Sequence, residues 1–282
     1  MQLSAQQIRF FETFGFLSFP GLFADEIEAI TDAFERVWSH HIGGQYGRPH
    51  DDQRRSLLVP FIDRDEYLSA LIDDARIEGI AASLLGDDFN YTTSDGNFYV
   101  GDTGWHSDRG LEHLIPSLKM AFYLDPMGAE SGCLRVIPGS HWAGDVYARS
   151  LEKAAPHPTV NHTEELWGVA GPEVPAIAIE TKPGDLCLFN HATKHASFGG
   201  DTRRRMFTIN MQQRYAEEHR DAMLEEIGSQ AEFLETRAYG ETMIRTAGPR
   251  RMRHLEQRLA NDGHLAALVE KARAEMAGPH RP

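Results

Sequence analysis

Gly104-Trp105-His106-Ser107-Asp108 is the stretch of this chain best suited to hold a metal ion. On an extended segment side chains alternate, so a His and an Asp two residues apart point to the same side. They present one imidazole and one carboxylate, two of the three protein ligands of a 2-His-1-carboxylate facial triad. Such a triad leaves neighbouring metal positions open for small ligands and suits non-haem Fe(II) oxygen chemistry. Alone the pair is a weak signal in a chain with 14 His, because an Asp in a surface turn after glycine also serves to accept backbone hydrogen bonds. The metal assignment needs a distant second His, an anion-binding Arg after it, and a β framework to carry both.

The second His has two candidates. Lys182-Pro183-Gly184-Asp185 reads as a tight turn feeding the apolar strand Leu186-Cys187-Leu188-Phe189, which delivers His191 and then His195 at its far end. Four apart, these two would share a face only on a helix, and the preceding strand argues against one. An ordinary buried or surface imidazole is the alternative for either. Ala196 and Ser197 are small enough to let backbone approach a bound cofactor. Arg203-Arg204-Arg205 opens the next strand. Alternation puts Arg204, Met206, Thr208 and Asn210 on one face and Arg203, Arg205, Phe207 and Ile209 on the other. An Arg turned into a barrel needs an anion, and a carboxylate matches its fork best.

The elements that must position these residues follow from composition and pattern. At 282 residues, 41% hydrophobic and 25% charged, the chain is long enough for a full core and reads as one domain with additions. A net charge of -14 argues against nucleic acid, whose phosphates need a basic surface. Cys133 and Cys187 match no disulfide framework or zinc spacing and are expected as buried, reduced thiols. With no signal peptide or membrane-span pattern, a cytoplasmic protein without a membrane partner is expected. It is expected to act on a small molecule as a monomer or homodimer.

Ser4 and Gln7 form a capping-box pattern before a helix that stops at Gly15. A strand over 16–20, a helix from an Asp25 cap to about His40, a loop over 43–56 and helical turns to Gly86 follow. From Phe89 the chain turns β-branched and aromatic, with Asp95-Gly96 as a hairpin signal. At least seven strands are expected between 89 and 213, and helices after Glu217 that carry Arg245, Arg250, Arg251, Arg253 and Arg258. The expected fold class is mainly β: a double-stranded β-helix (jelly roll, cupin-like) core over 89–213, N-terminal helical support over 1–88, and a helical extension over 214–282, together one domain. The 43–56 loop, with His50, Arg54 and Arg55, is a candidate lid, and the arginine-rich extension a candidate for closing the site or for a dimer contact.

Four segments resemble the phytanoyl-CoA dioxygenase family, which includes ectoine hydroxylase. They are Gln7-Ile8-Arg9-Phe10-Phe11 with Gly15-Phe16-Leu17; Trp105-His106-Ser107-Asp108; Glu130-Ser131-Gly132-Cys133-Leu134 with Ile137-Pro138-Gly139-Ser140-His141; and Gly184-Asp185 with His195 and Ser197. Eighty-nine residues separate His106 from His195, a spacing within the family's usual range. The likeness runs from residue 1 to about 215. It implies an Fe(II)- and 2-oxoglutarate-dependent oxygenase that uses O2, decarboxylates 2-oxoglutarate to succinate and CO2, and oxidises an unactivated C–H bond of a small metabolite. Hydroxylation is the expected outcome, with desaturation, epoxidation or ring formation as branches.

The resemblance also implies site residues. His106, Asp108 and His195 would bind iron, and His191 falls where the family has no ligand. Arg204 would pair with the distal carboxylate of 2-oxoglutarate, with Arg203 and Arg205 as alternatives, and Ser197 would bond to the same carboxylate. Lys119 and Asn97 would line the cosubstrate pocket. Because Asp108 is present where halogenating relatives have a small residue, halogenation is disfavoured. His141 is assigned to a structural turn. Trp105, Arg109 and His113 flank the metal motif and are candidates for substrate contact. The competing reading is a cupin-like isomerase or hydrolase that uses the same ligands without 2-oxoglutarate; a non-catalytic binding module is a third.

Overall fold

Ser4 and Gln7 close both halves of the capping box at the head of helix Ala5–Phe14, and Gly15 ends that helix in the left-handed region at φ 82°. The computed structural model describes residues 1–44, 47–113, 115–154, 159–160, 163–201 and 203–275. Its strands are β1 (Phe16–Phe19), β2 (Ser56–Leu58), β3 (Asn90–Thr93), β4 (Gly96–Tyr99), β5 (Thr103–His106), β6 (Ser117–Tyr123), β7 (Leu134–Val136), β8 (Thr159–Val160), β9 (Ile177–Ile179), β10 (Leu186–Asn190), β11 (His195–Ser197) and β12 (Arg204–Gln212). They form a seven-stranded sheet, ordered β1-β10-β6-β12-β4-β2 with β3 also on β12, and a five-stranded sheet ordered β8-β5-β11-β7-β9. Every described pairing is antiparallel.

The period of two decides what each face does. Phe207, Ile209 and Met211 of β12 join the large core beneath the helices, together with Ile30, Phe34 and Val37. Those three stand on helix Ile27–His40, which buries positions 30, 33, 34, 37 and 38 as a 3.6-period stripe. Met206 of β12 faces the other way and packs with Tyr123, Cys187 and Phe189 against Leu134, Val136 and Ile179 of the smaller sheet. The two sheets therefore face each other, and the side chains between them at one end form the site. Both cysteines are buried and unpaired, and burial pushes the Cys187 thiol up to about 12.

Three expectations need correction. About 40% of the chain is helical and 19% strand; the helical ends are where they are expected, but they are large enough that "mainly β" describes 89–213 and not the whole. Asp25 does not cap the second helix, which begins at Ile27 behind a Glu26 with no side-chain cap bond. Asp95-Gly96 makes no hairpin: β3 and β4 lie end to end along β12, pairing with Asn210–Gln212 and Arg204–Phe207 respectively. The break is held open by bonding rather than by a reversal. The Thr208 N–H donates to the Asp95 carbonyl at 2.8 Å, and Ser94 Oγ accepts from Phe61 N and Ile62 N.

The extension after β12 folds back on the chain. Arg251 bonds to Asp73, Arg250 to Glu78 and Arg245 to Glu66, so these arginines fasten the tail to the N-terminal helices. Arg258, fully buried, reaches Glu226 at 2.9 Å. No helix among the described residues is long and apolar enough to cross a membrane. Glu226 ties the tail to the core through Arg109 at 2.6 Å. Burial would raise its carboxyl, but Arg258, then Arg109 and the Tyr215 hydroxyl, bring it down to about 2. A depressed folded-state pKa stabilises the protein above the unfolded value near 4.5 and loses that contribution as pH falls toward 2. Glu226→Gln is expected to flatten the stability–pH curve in that window, removing about 2 kcal/mol of the change between pH 5 and pH 3, as read from urea unfolding at the two pH values.

Candidate metal centre

His106 and His195 sit on neighbouring antiparallel strands at directly opposed positions. Opposed residues share a face at close range, and the two rings lie 4.1 Å apart, centroid to centroid. Past the end of β5 the chain turns so that the Asp108 N–H donates to the His191 carbonyl at 2.8 Å. One ligand atom each from His106, Asp108 and His195 lies within 4.8 Å of the others.

The imidazoles are prepared for a metal. His106 Nδ1 bonds to the Gly104 carbonyl at 2.8 Å and His195 Nδ1 to the Thr193 carbonyl at 2.9 Å. A carbonyl only accepts, so each Nδ1 carries the proton and each Nε2 keeps its lone pair for a ligand. Burial, and then His106, drives His195 down to about 3, and burial lowers His106 as well; both are neutral at neutral pH. Burial alone would raise the Asp108 carboxyl, but Lys119, with Nζ 2.9 Å from Oδ2, and the surrounding imidazoles hold it well below the usual carboxylate range. Two neutral nitrogens and one carboxylate on one side of a space fit a divalent first-row ion with open positions opposite.

The arginine run resolves by parity. Arg205 forks onto Asp125 and reaches Glu35, while Arg203 lies over the Phe98 ring and near Glu35, both on the outer face. Arg204 turns inward and is buried. Its Nη1 donates to the Gly132 carbonyl at 2.6 Å and to Ser197 Oγ, and its Nη2 donates to the Gly101 carbonyl at 2.6 Å. Its Nε is buried with no hydrogen-bond partner, and it makes no ion pair among the described residues. Burial lowers its pKa. A buried guanidinium held by carbonyls and lacking a carboxylate is suited to bind an anion. Ser197 lies beside it, its Oγ also donating to Gly132 O at 3.0 Å.

The other candidates divide. Asn97 faces inward, between Asp95 Oδ2 and Arg55 Nε, each at 2.7 Å. Arg55 covers the Tyr99 ring at 4.3 Å, so the end of the 43–56 loop does reach the inner face; Gln45 and Tyr46 of that loop lie outside the described residues. His191 is no ligand: its Nε2 bonds to Asn210 Oδ1 at 3.0 Å. His141 bonds to the Glu12 carbonyl as part of a turn. Trp105 is not placed to contact a substrate. It is wholly buried on the opposite face of β5, among Ile137, Ala196 and Phe198, with Nε1 donating to Gly171 O at 2.9 Å. Arg109 is not free to meet a substrate, because its Nη2 is bound to Glu226 at 2.6 Å. His113 is half-buried, and its Nε2 is shielded from solvent with no hydrogen-bond partner.

Sequence reasoning missed Asp95 and Glu226. Asp95 was visible only as a turn residue, yet its carboxylate accepts from Thr208 Oγ and Asn97 Nδ2 and is held ionised by Lys119 and Arg55 against the burial that would raise it. Glu226 carried no local signal at all.

Comparison with known proteins agrees with this geometry. The model of the phytanoyl-CoA dioxygenase family matches residues 11–207. The ectoine dioxygenase of Bordetella bronchiseptica is 26% identical over 223 residues, covering 69% of this chain and 70% of that protein. Among solved structures, the non-haem α-ketoglutarate-dependent carbocyclase SnoK from nogalamycin biosynthesis superposes with a TM-score of 0.58 at 21% identity, covering 75% of this chain and 84% of the other. HygX from Streptomyces hygroscopicus, with nickel and 2-oxoglutarate bound, superposes with a TM-score of 0.60 at 17% identity, covering 76% and 89%. With a family match over most of its length and a His-Asp-His cluster at the expected positions, the chain belongs to the phytanoyl-CoA dioxygenase family and is an Fe(II)- and 2-oxoglutarate-dependent dioxygenase.

Proposed function

We propose that this enzyme hydroxylates an unactivated C–H bond of a small-molecule metabolite, and that the facing sheets are a double-stranded β-helix. The fold likeness to 2-oxoglutarate-dependent enzymes supports the second part. Bound iron supplies the centre at which O2 and 2-oxoglutarate react to give succinate, CO2 and one oxygen atom for the substrate. The protein's own residues bind, orient and exclude water. His106 and His195 offer Nε2 and Asp108 a carboxylate oxygen. Lys119 steadies the carboxylate, and Arg204 with Ser197 receives the distal carboxylate of 2-oxoglutarate. Asn97 and Arg55 line the neighbouring wall, and His113 remains as a substrate contact. The protein is taken to work in the cytoplasm as one domain.

The observation that carries the reading is the pairing of an intact ligand cluster with an inward, carboxylate-free Arg204. A hydrolase or isomerase has no use for that guanidinium, so the cupin-like alternative is disfavoured. Anaerobic addition of Fe(II) and 2-oxoglutarate is expected to produce the weak visible charge-transfer band of the chelate. No band, together with an unchanged Arg204→Ala variant, would favour the alternative. A screen of metabolites for stimulated 2-oxoglutarate turnover would then identify the substrate.

Gly132 offers a subtler test. It adopts φ +89°, and a Cβ there would lie 2.5 Å from Arg204 Nη1. Gly132→Ala should push the guanidinium out of register, and a shift near 1 Å is expected to lower kcat/KM for 2-oxoglutarate by ~10²-fold, with the metal site intact by Co(II) absorption.

A further inference from the structure

Asp108 is the one metal ligand that no strand holds. β5 ends at His106, and beyond it the His191 carbonyl takes the N–H groups of both Asp108, at 2.8 Å, and Arg109, at 3.0 Å, while Ser107 Oγ accepts from buried Lys194 Nζ at 3.3 Å. Lys119 Nζ, 2.9 Å from Oδ2, holds the carboxylate from the strand β6 side; a ligating carboxylate whose direction must stay fixed gains from a hold on the far side of the turn as well. The next side chain provides a second point of attachment. Arg109 Nη2 crosses to Glu226 Oε2 at 2.6 Å. Glu226 belongs to helix Arg220–Ser229, outside the segment matched by the family model. It is itself locked, accepting from the Tyr215 hydroxyl at 2.7 Å and from buried Arg258 at 2.9 Å. Gln257 ties Tyr215 down in turn through both its backbone N–H, at 3.0 Å, and its carbonyl, at 2.8 Å.

We propose that Glu226 is a positioning residue of the metal centre: by gripping Arg109 it sets the direction in which Asp108 presents its carboxylate, so the C-terminal extension is a working part of the active site. The inference rests on the reading of His106, Asp108 and His195 as the metal ligands. It also explains why Arg109, the charged residue beside the motif, is turned away from the substrate side. The mechanism is that of an outer partner that orients a ligand, which typically changes metal affinity 10–100-fold.

The test is a titration of metal-free, full-length protein with Co(II), followed by its visible d–d absorption. Arg109→Gln, Glu226→Gln and the double variant are each expected to weaken Co(II) binding by roughly 10–100-fold and to alter the band pattern. The double loss should be no larger than either single loss, because both cut one link. Arg109→Gln leaves Glu226 paired with Arg258 and Tyr215, so it decides the matter even if Glu226→Gln folds poorly. Parent-like affinity and bands in Arg109→Gln, a lowered thermal midpoint alone, or losses that add would overturn the proposal while leaving the metal site standing. If the parent itself shows no d–d bands, or His106→Ala keeps them, the metal reading fails and this proposal with it.

Discussion

Replacing His106 with alanine is expected to remove the Fe(II)–2-oxoglutarate band and to reduce succinate formation on the order of 10³-fold or more, beyond the ~10–100-fold that follows from losing an outer partner. The physical reason lies in the number and state of the donors. His106 offers one of only two neutral nitrogens, and its Nδ1 bond to Gly104 O aims the Nε2 lone pair at the space shared with Asp108 and His195. Without it, one nitrogen and one carboxylate remain, and that carboxylate already has Lys119 at 2.9 Å to neutralise it. A two-donor site with an internal counter-ion has little reason to take up iron. The fold should survive, because His106 is only partly buried and the strand pairing of Thr103–His106 is backbone bonding. Circular dichroism and a thermal midpoint close to the parent's would therefore accompany the loss. Retained succinate production in this variant would contradict the assigned ligand set.

What could be read from the sequence was whatever depends on local periodicity. The capping box at Ser4 and the parity of the arginine run are local patterns and appear as expected; His106 and Asp108 do converge, but through a turn past the end of β5 and not through strand alternation. The same parity bears on Trp105. If His106 faces the metal, Trp105 on the same strand faces away, and the structure buries it against Gly171 on the far side. Other features depended on distant partners and had no local signature. Arg109 looks like a substrate-facing cation until Glu226, 117 positions later, claims it. Asp95-Gly96 has the composition of a hairpin turn. Its role as a break in one continuous edge is set by Thr208 and Ser94, which hold the backbone extended along β12. Both helical ends are expected from the sequence; the label mainly β fails for the whole chain because those ends, with short tail helices such as Glu241–Arg245 and Pro249–Met252 tied by ion pairs to the N-terminal region, outweigh the strands.

The second large effect concerns Arg204. Arg204→Met keeps most of the side chain's volume while removing its charge, and it is expected to raise the Kd for 2-oxoglutarate on the order of 100-fold. Truncating one partner of a buried, hydrogen-bonded charge pair costs about 2–5 kcal/mol, and about 2.7 kcal/mol is a factor of 100. The effect on the ligand-free protein should be much smaller, because two changes oppose each other. The variant no longer buries a guanidinium whose Nε has no partner, but it strips the Gly101 carbonyl of this donor and leaves the Gly132 carbonyl with Ser197 Oγ alone. Ligand-induced stabilisation separates these effects. At a 2-oxoglutarate concentration 100 times the parent Kd, the parent should gain about 2.7 kcal/mol, visible as a rise in thermal midpoint when a redox-inert divalent metal is present. The variant, with its Kd raised to that same concentration, should gain only about 0.4 kcal/mol. Arg203→Met, on the outer face beside Glu35 and Phe98, should behave as the parent. Equal ligand-induced shifts in Arg204→Met and the parent would mean that the keto acid is anchored elsewhere, because no other buried guanidinium on the inner face of β12 is available to take its place.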